Sequence, residues 1–181
     1  MVIRSKQKLK ISEPFNIVLV NPEIPPNTGN IARLCAATGS LLHLVHPLGF
    51  EINNKHLKRA GLDYWPLLDI KEYKDWEEFC NSNNVINVPQ DDSKSQSWFI
   101  STRGEKNIWD VKFNPGDYLV FGSETKGLDE DILKMYSESV ISIPMNGLTR
   151  SINLSTAVGV VLYEAIRQVT VERKIYEVLP V

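Results

Sequence analysis

The chain has 181 residues, of which 43% are apolar and 23% charged, with a formal net charge of −2. That composition suits one globular domain with a full-sized core, and it supplies no overall positive field for a nucleic acid, so such a partner would need a local basic patch. Cys35 and Cys80 stand too far apart for a zinc spacing or a disulfide framework, no apolar run is long enough to span a membrane, and the basic N-terminus lacks a hydrophobic signal core. A cytoplasmic protein without a metal is expected.

Residues 1–14 carry Arg4, Lys6, Lys8 and Lys10 and read as a flexible basic tail, leaving 15–181 as a single domain. Phe15–Val20 is a near-continuous apolar run, as for a strand covered on both faces. Pro22, Pro25 and Pro26 predict an extended loop with no helix before Asn27. Asn27 or Thr28 then caps a helix with Ile31, Leu34 and Cys35 inward and Arg33 off the apolar face. Gly39 stops it. Leu41–His46 is a second strand, and His43 and His46 read as ordinary strand-end histidines. Asn54–Gly61 predicts a short helix with Lys55, Lys58 and Arg59 on one face, either a phosphate-binding patch or a solvated face.

Tyr64–Leu68 reads as a short extended segment, and Asp75–Cys80 as a helix that buries Trp76 and Phe79. Residues 81–97 are polar and poorly patterned, with at most a short strand at 85–88. Trp98–Ser101 is a core strand that empties into Thr102-Arg103-Gly104. Asp117–Phe121 is another, running into Gly122-Ser-Glu-Thr-Lys-Gly-Leu128 and a helix over 129–136. The phosphate-loop and dinucleotide glycine patterns are both absent. Val140, Ile141 and Ile143 mark a further strand, ended by Pro144. A polar loop follows, and then a helix whose buried face is Leu154, Ala157, Val158, Val161, Leu162, Ala165 and Ile166, with Ser151 or Asn153 at its start. Val160 and Tyr163 widen that stripe beyond what one core requires, and predict a homodimer built on this helix and the helix after Asn27. Three buried strands thus end in polar, glycine-containing loops, after Ile100, Phe121 and Ile143. In a parallel sheet those ends share one edge, where ligands bind.

The segments Asn27-Thr-Gly-Asn-Ile-Ala-Arg33, Phe121-Gly-Ser-Glu-Thr-Lys-Gly-Leu128 and Ile143-Pro-Met…Arg150-Ser-Ile-Asn-Leu-Ser155 resemble the three motifs of the SPOUT methyltransferases. Pro22-Glu-Ile-Pro-Pro26 and Arg59-Ala-Gly-Leu-Asp-Tyr64 are similar to the small tRNA wobble-position (cytidine/uridine) 2′-O-methyltransferases within that class. The resemblance covers about Phe15 to Gln168. It implies an α/β fold with a mostly parallel sheet, helices on both faces and a C-terminal trefoil knot. Pattern reading alone draws an unknotted doubly wound sheet, since true knots are very rare. The resemblance also implies a homodimer in which the partner subunit completes each site, S-adenosylmethionine as cofactor, and tRNA as partner. By it, Ile100, Gly122, Ile143 and Ser151 bind the cofactor. Asn27, Arg33, Glu124, Ser151 and Asn153 fill the catalytic positions, while clustered charge rather than the resemblance picks Lys55, Lys58, Arg59 and Arg150 to face the RNA. Gly122 would leave room for a flat adenine. A guanidinium is a poor base, so Arg33 is read as a clamp that orients the hydroxyl. Methylation at another tRNA or rRNA site, and a non-catalytic RNA-binding module, are the alternative readings.

Overall fold

Short β-branched and aromatic runs build one parallel sheet in the computed structural model, which describes residues 7–9, 11–52, 68–83, 85, 95–173 and 176–178. Its strands are β2 (Asn16–Val20), β3 (Leu41–Val45), β4 (Ile70–Tyr73), β5 (Ser97–Ile100), β6 (Lys106–Asn107), β7 (Tyr118–Phe121) and β8 (Val140–Ser142). They lie in the order β4-β3-β2-β7-β5-β8-β6, and every neighbouring pair is parallel. β1 (Gln7–Leu9), inside the segment read as a tail, pairs antiparallel with β9 (Tyr176–Val178). The helix expected over 54–61, with Lys55, Lys58 and Arg59, lies outside the described residues, as do 64–67 and most of 85–88.

Alternation along the strands divides the core between the two faces. Ile17, Leu19, Leu42, Leu44, Leu119 and Ile141 point to one face, packed under α1 (Pro25–Thr38) and α4 (Leu154–Arg173). Val18, Val20, Val45, Phe99, Val120 and Val140 point to the other, under α2 (Trp76–Asn83) and α3 (Glu130–Met135). Helices on both faces were expected. β4 and β6 were not, because Ile70-Lys-Glu-Tyr73 and Lys106-Asn107 are polar edge segments without an apolar run.

α1 corrects the reading of its prolines. It starts at Pro25, two residues before the expected point, with Ile24 at the cap position and no side-chain cap. Proline at the first helical positions gives up only N–H groups that have no intrahelical acceptor. Ala32 is buried inside with Ile31 and Cys35, whereas Leu34 is only partly buried. Gly39 ends the helix in the left-handed region at φ 72°.

His43 and Asp117 are buried polar groups with partners. The His43 ring bonds the Tyr73 hydroxyl at 2.9 Å and Asn16 Oδ1 at 3.1 Å. Asp117 accepts from the N–H of Gln96 at 2.7 Å, the N–H of Asn114 at 2.9 Å and Trp98 Nε1–H at 3.0 Å. Burial lowers His43 to about 4 and raises Asp117 to about 6. His46 is paired instead with Glu72 at 3.1 Å on the surface.

β5 and β6 follow one another in sequence, yet β8 lies between them. The connection 101–105 therefore crosses β8. Ser101 N–H donates to the Ile141 carbonyl at 3.0 Å, and Ile108 N–H to the Ser142 carbonyl at 3.0 Å. The crossing is tight at Gly104, where a Cβ would stand 2.5 Å from the Ile141 carbonyl carbon and 2.8 Å from Ser142 N. Neither atom can move, since both belong to a paired strand.

Two predictions follow from these contacts. Gly104→Val should lower stability to urea unfolding by about 1–3 kcal/mol, the scale of overpacking, or more if the crossing fails to close. An unchanged midpoint would mean that the crossing is loose. The second concerns pH. Folded Asp117 holds its proton above its ordinary value of 3.8, so its contribution to stability declines as pH rises from about 4 to about 6. Folded His43 takes up its proton only below its ordinary value of 6.5, so its contribution is lost as pH falls from there to about 4. The two oppose each other. Asp117→Asn should lower stability overall and leave a curve that drops on acidification through this window more steeply than the parent's, as read by urea unfolding at stepped pH.

Candidate active site

Because β7, β5 and β8 are neighbours and parallel, the loops that follow them leave the sheet side by side. Between these loops and the start of α1 lies a cleft of about 470 Å³. Ile100, Gly122, Ile143 and Ser151 all line it, as do Asn27, Glu124, Asn153 and Arg150. Arg33 does not: it lies on the exposed side of α1, about 9 Å along the axis from Asn27. The structure therefore brings together every expected cleft residue except that arginine.

A chain of amides and one carboxylate holds the cleft together. Asn153 Nδ2–H donates to Asn27 Oδ1 at 2.9 Å, and Asn27 Nδ2–H donates to Glu124 Oε1 at 2.9 Å. Glu124 also accepts from the backbone N–H of Glu23 at 2.7 Å and of Ile24 at 3.2 Å. These two N–H groups stand just before the helix, whose own first donors, on Asn27 and Thr28, go to the Ile24 carbonyl at 3.0 and 3.4 Å, so Glu124 ties down the approach to α1. Its oxygens are committed to these donors. Asn153, rather than Ser151, caps α4, its Oδ1 accepting from Ser155 N–H at 2.9 Å and Thr156 N–H at 3.3 Å. Each amide is oriented by both of its ends, so the chain has one direction.

Gly122 needs a different explanation from the expected one. A Cβ there would stand 2.0 Å from the Gly127 carbonyl carbon and 2.1 Å from Leu128 N. The side chain is excluded by the loop's own backbone, which folds back through the Ser123–Gly127 bridge. Any substitution at 122 deforms the loop before it meets a ligand.

Sequence reading missed the second half of the clasp. Thr125 Oγ1–H lies 2.7 and 2.8 Å from the two carboxylate oxygens of Glu23, and Thr125 N–H donates to the same group at 3.2 Å. Glu23 and Thr125 share no local pattern that could have announced the contact. Arg103 and Lys126 were also missed. With Arg150 they are exposed cations on the cleft wall, and Arg103 is bonded to Glu130 at 2.9 Å. The walls are otherwise mixed, with Ile100, Phe121, Leu128 and Ile143 offering apolar surface. The volume and this mixture suit a small organic ligand with one flat apolar part and several polar groups. Among the described residues no cluster of His, Cys, Asp and Glu could hold a metal ion, and no helix is long and apolar enough to cross a membrane.

Residues 14–163 match the model of the SpoU rRNA Methylase family, and the chain belongs to that family of methyltransferases. Among its relatives are the tRNA (cytidine(34)-2'-O)-methyltransferases of Saccharophagus degradans and Yersinia pestis. Each is 47% identical over 155 residues, which is 85% of this chain and 95% and 93% of the relatives, respectively. A solved structure described as giving structural insights into the 2-OH methylation of C/U34 on tRNA superposes with a TM-score of 0.78 at 43% identity, covering 87% of this chain and 97% of that one. AviRb of Streptomyces viridochromogenes, solved in complex with AdoMet, shares the fold at 23% identity and a TM-score of 0.71, over 88% of this chain and 60% of that one.

Glu124→Gln places an NH₂ against N–H donors. It should cost about 1–3 kcal/mol in thermal unfolding, the scale of an unsatisfied buried group, and should loosen residues 122–127 in hydrogen exchange. Parental stability and protection would show that the clasp does not depend on the carboxylate.

Proposed function

We propose that the protein transfers a methyl group from S-adenosylmethionine to the ribose 2′-OH of the wobble nucleotide, a cytidine or modified uridine, in the tRNA anticodon. The observation that carries this reading is the directed chain Asn153–Asn27–Glu124 across a cleft built from all three motif loops. The relatives named above support the choice of nucleotide. Bound in the cleft, the cofactor would supply an electrophilic methyl on a sulfonium, which needs no acid to leave. The protein's task is to hold the ribose oxygen in line and to let its proton go.

Ile100, Gly122 and Ile143 would hold the cofactor from the loop walls, with Ser151 adding a hydroxyl from the last loop. Asn27 and Asn153, fixed at both ends, position the groups that face the ribose. Glu124 keeps them fixed. Arg150 contacts RNA phosphate at the rim, and Lys55, Lys58 and Arg59 add phosphate contacts on the strength of their clustered charge in the sequence. Arg33 serves as a clamp on the phosphate next to the reacting hydroxyl, a strong charge-assisted contact. Since it lies outside its own cleft, it acts in the cleft of a second subunit. The exposed apolar pair Val160 and Tyr163 on α4, 40% and 51% exposed, supports a homodimer through α1 and α4. The crossing of 101–105 over β8 is the geometry from which a trefoil knot would be made, and we read the C-terminal segment as threaded there. A cytoplasmic location goes with tRNA as substrate.

The test is nucleoside analysis of tRNA methylated by the purified protein with labelled S-adenosylmethionine. 2′-O-methylation confined to residue 34 is expected, and label at another residue, or none, would refute the reading. Arg33→Ala should cut the single-turnover rate more than either binding step, because an aligning contact matters most as the bond forms. A full rate would make that arginine structural.

A further inference from the structure

Trp109 is 66% exposed, in contrast to Trp98 at 8%. Burying an indole removes one of the largest apolar surfaces available to a side chain, so an exposed one on rigid backbone calls for a partner. The backbone here is rigid. Trp109 N–H donates to Asn107 Oδ1 at 2.8 Å, Asn107 N–H to Asp110 Oδ2 at 3.2 Å, and Asp110 N–H to the Asn107 carbonyl at 3.0 Å. On either side, Ile108 and Val111 are buried in the core at 1% and 9% exposure. The turn is pinned at both ends while its indole faces out.

The position is as informative as the exposure. Trp109 follows β6 at the carboxyl edge of the parallel sheet, the edge on which the cleft opens. Ile108 N–H bonds Ser142, one residue before the cleft-lining Ile143. Cations flank it: Lys106 and Lys112 are both exposed, three residues away on either side; the Lys106 ammonium lies 3.3 Å from the Glu138 carbonyl and 3.8 Å from its exposed carboxylate, a contact that a phosphate can replace, and Lys112 has no acidic partner among the described residues. An aromatic platform between cations is what binds a single-stranded nucleic acid, the ring stacking on a base and the ammonium groups meeting the backbone. A second copy of the chain is a poorer occupant. Interface cores are depleted of charge, and Trp109 has Asp110 as its neighbour and lysines beyond.

We propose that Trp109 stacks on an unpaired nucleobase of the RNA next to the methylated nucleotide, with Lys106 and Lys112 meeting its phosphates. This rests on the reading of the cleft as an RNA 2′-O-methylation site. The full chain is compared with Trp109→Ala and Trp109→Phe against whole tRNA. The alanine variant should weaken tRNA binding about tenfold, the scale of one base–aromatic stack, with phenylalanine restoring most of it. KM for tRNA should rise at an unchanged kcat, and cofactor affinity and sedimentation should stay parental. Tryptophan emission should fall on adding tRNA to the parent and not to Trp109→Phe. Parental tRNA affinity in the alanine variant, or quenching that survives in the phenylalanine variant, would overturn the proposal. So would a change in sedimentation, which would make Trp109 a contact between copies. Trp109-dependent tRNA binding by a protein that leaves residue 34 unmethylated would uphold the platform and refute the assigned target.

Discussion

The cleft depends on a carboxylate that ties down the approach to a helix from far along the chain. α1 begins with two prolines, which carry no N–H, and its next two donors are taken by the Ile24 carbonyl, but the N–H groups of Glu23 and Ile24 just ahead of it have no acceptor nearby in sequence. Glu124 brings the acceptor from the loop after β7. Partly buried N–H groups left open would cost more than the bonds gain, so the loop and the helix must stand where they do. Asn27 then has a fixed amide, and Asn153 receives its orientation in turn while capping α4. One interaction thereby sets the places of two helix ends and a loop. A carboxylate used in this way holds the amides and N–H groups around it in place.

Around that clasp the charge is divided by depth. Glu23 and Glu124 are partly buried and occupied by donors, whereas Arg103, Lys126 and Arg150 are exposed along the cleft wall. A chain with a net charge of −2 can still receive a polyanion if its cations stand at the mouth and its anions are turned inward. Affinity then comes from a few contacts and is sensitive to salt.

Strands with a continuous apolar run were legible because burial on both faces leaves no other composition: β2, β3, β5, β7 and β8 could be read directly. So could the shared edge of their loops, since near-continuous apolar runs are the mark of a parallel sheet covered on both faces. β4 and β6 were hidden because edge strands are partly solvated and carry polar residues. The start of α1 was misread because proline signals loop and helix entrance alike. The motif residues could be picked out one by one, but not the bonds among them, because Glu23–Thr125 and Asn27–Glu124 join positions 102 and 97 residues apart. Gly122 shows the same limit. Its need for a small residue was visible, while the atoms that impose it, those of Gly127 and Leu128, were not.

The place of β6 sets a timetable for the ribosome. Among the described residues this strand pairs only with β8, which is synthesised some thirty residues later, and the segment leading to it crosses over that same strand. Until residue 140 has emerged, residues 101–107 lack the strand they cross and pair with. β5 and β7 can pair, but the outer edge of the sheet stays unfinished until 140–142 arrives. The site loops at that edge are organised only once 140–142 has been made, so no shorter nascent segment carries a finished cleft.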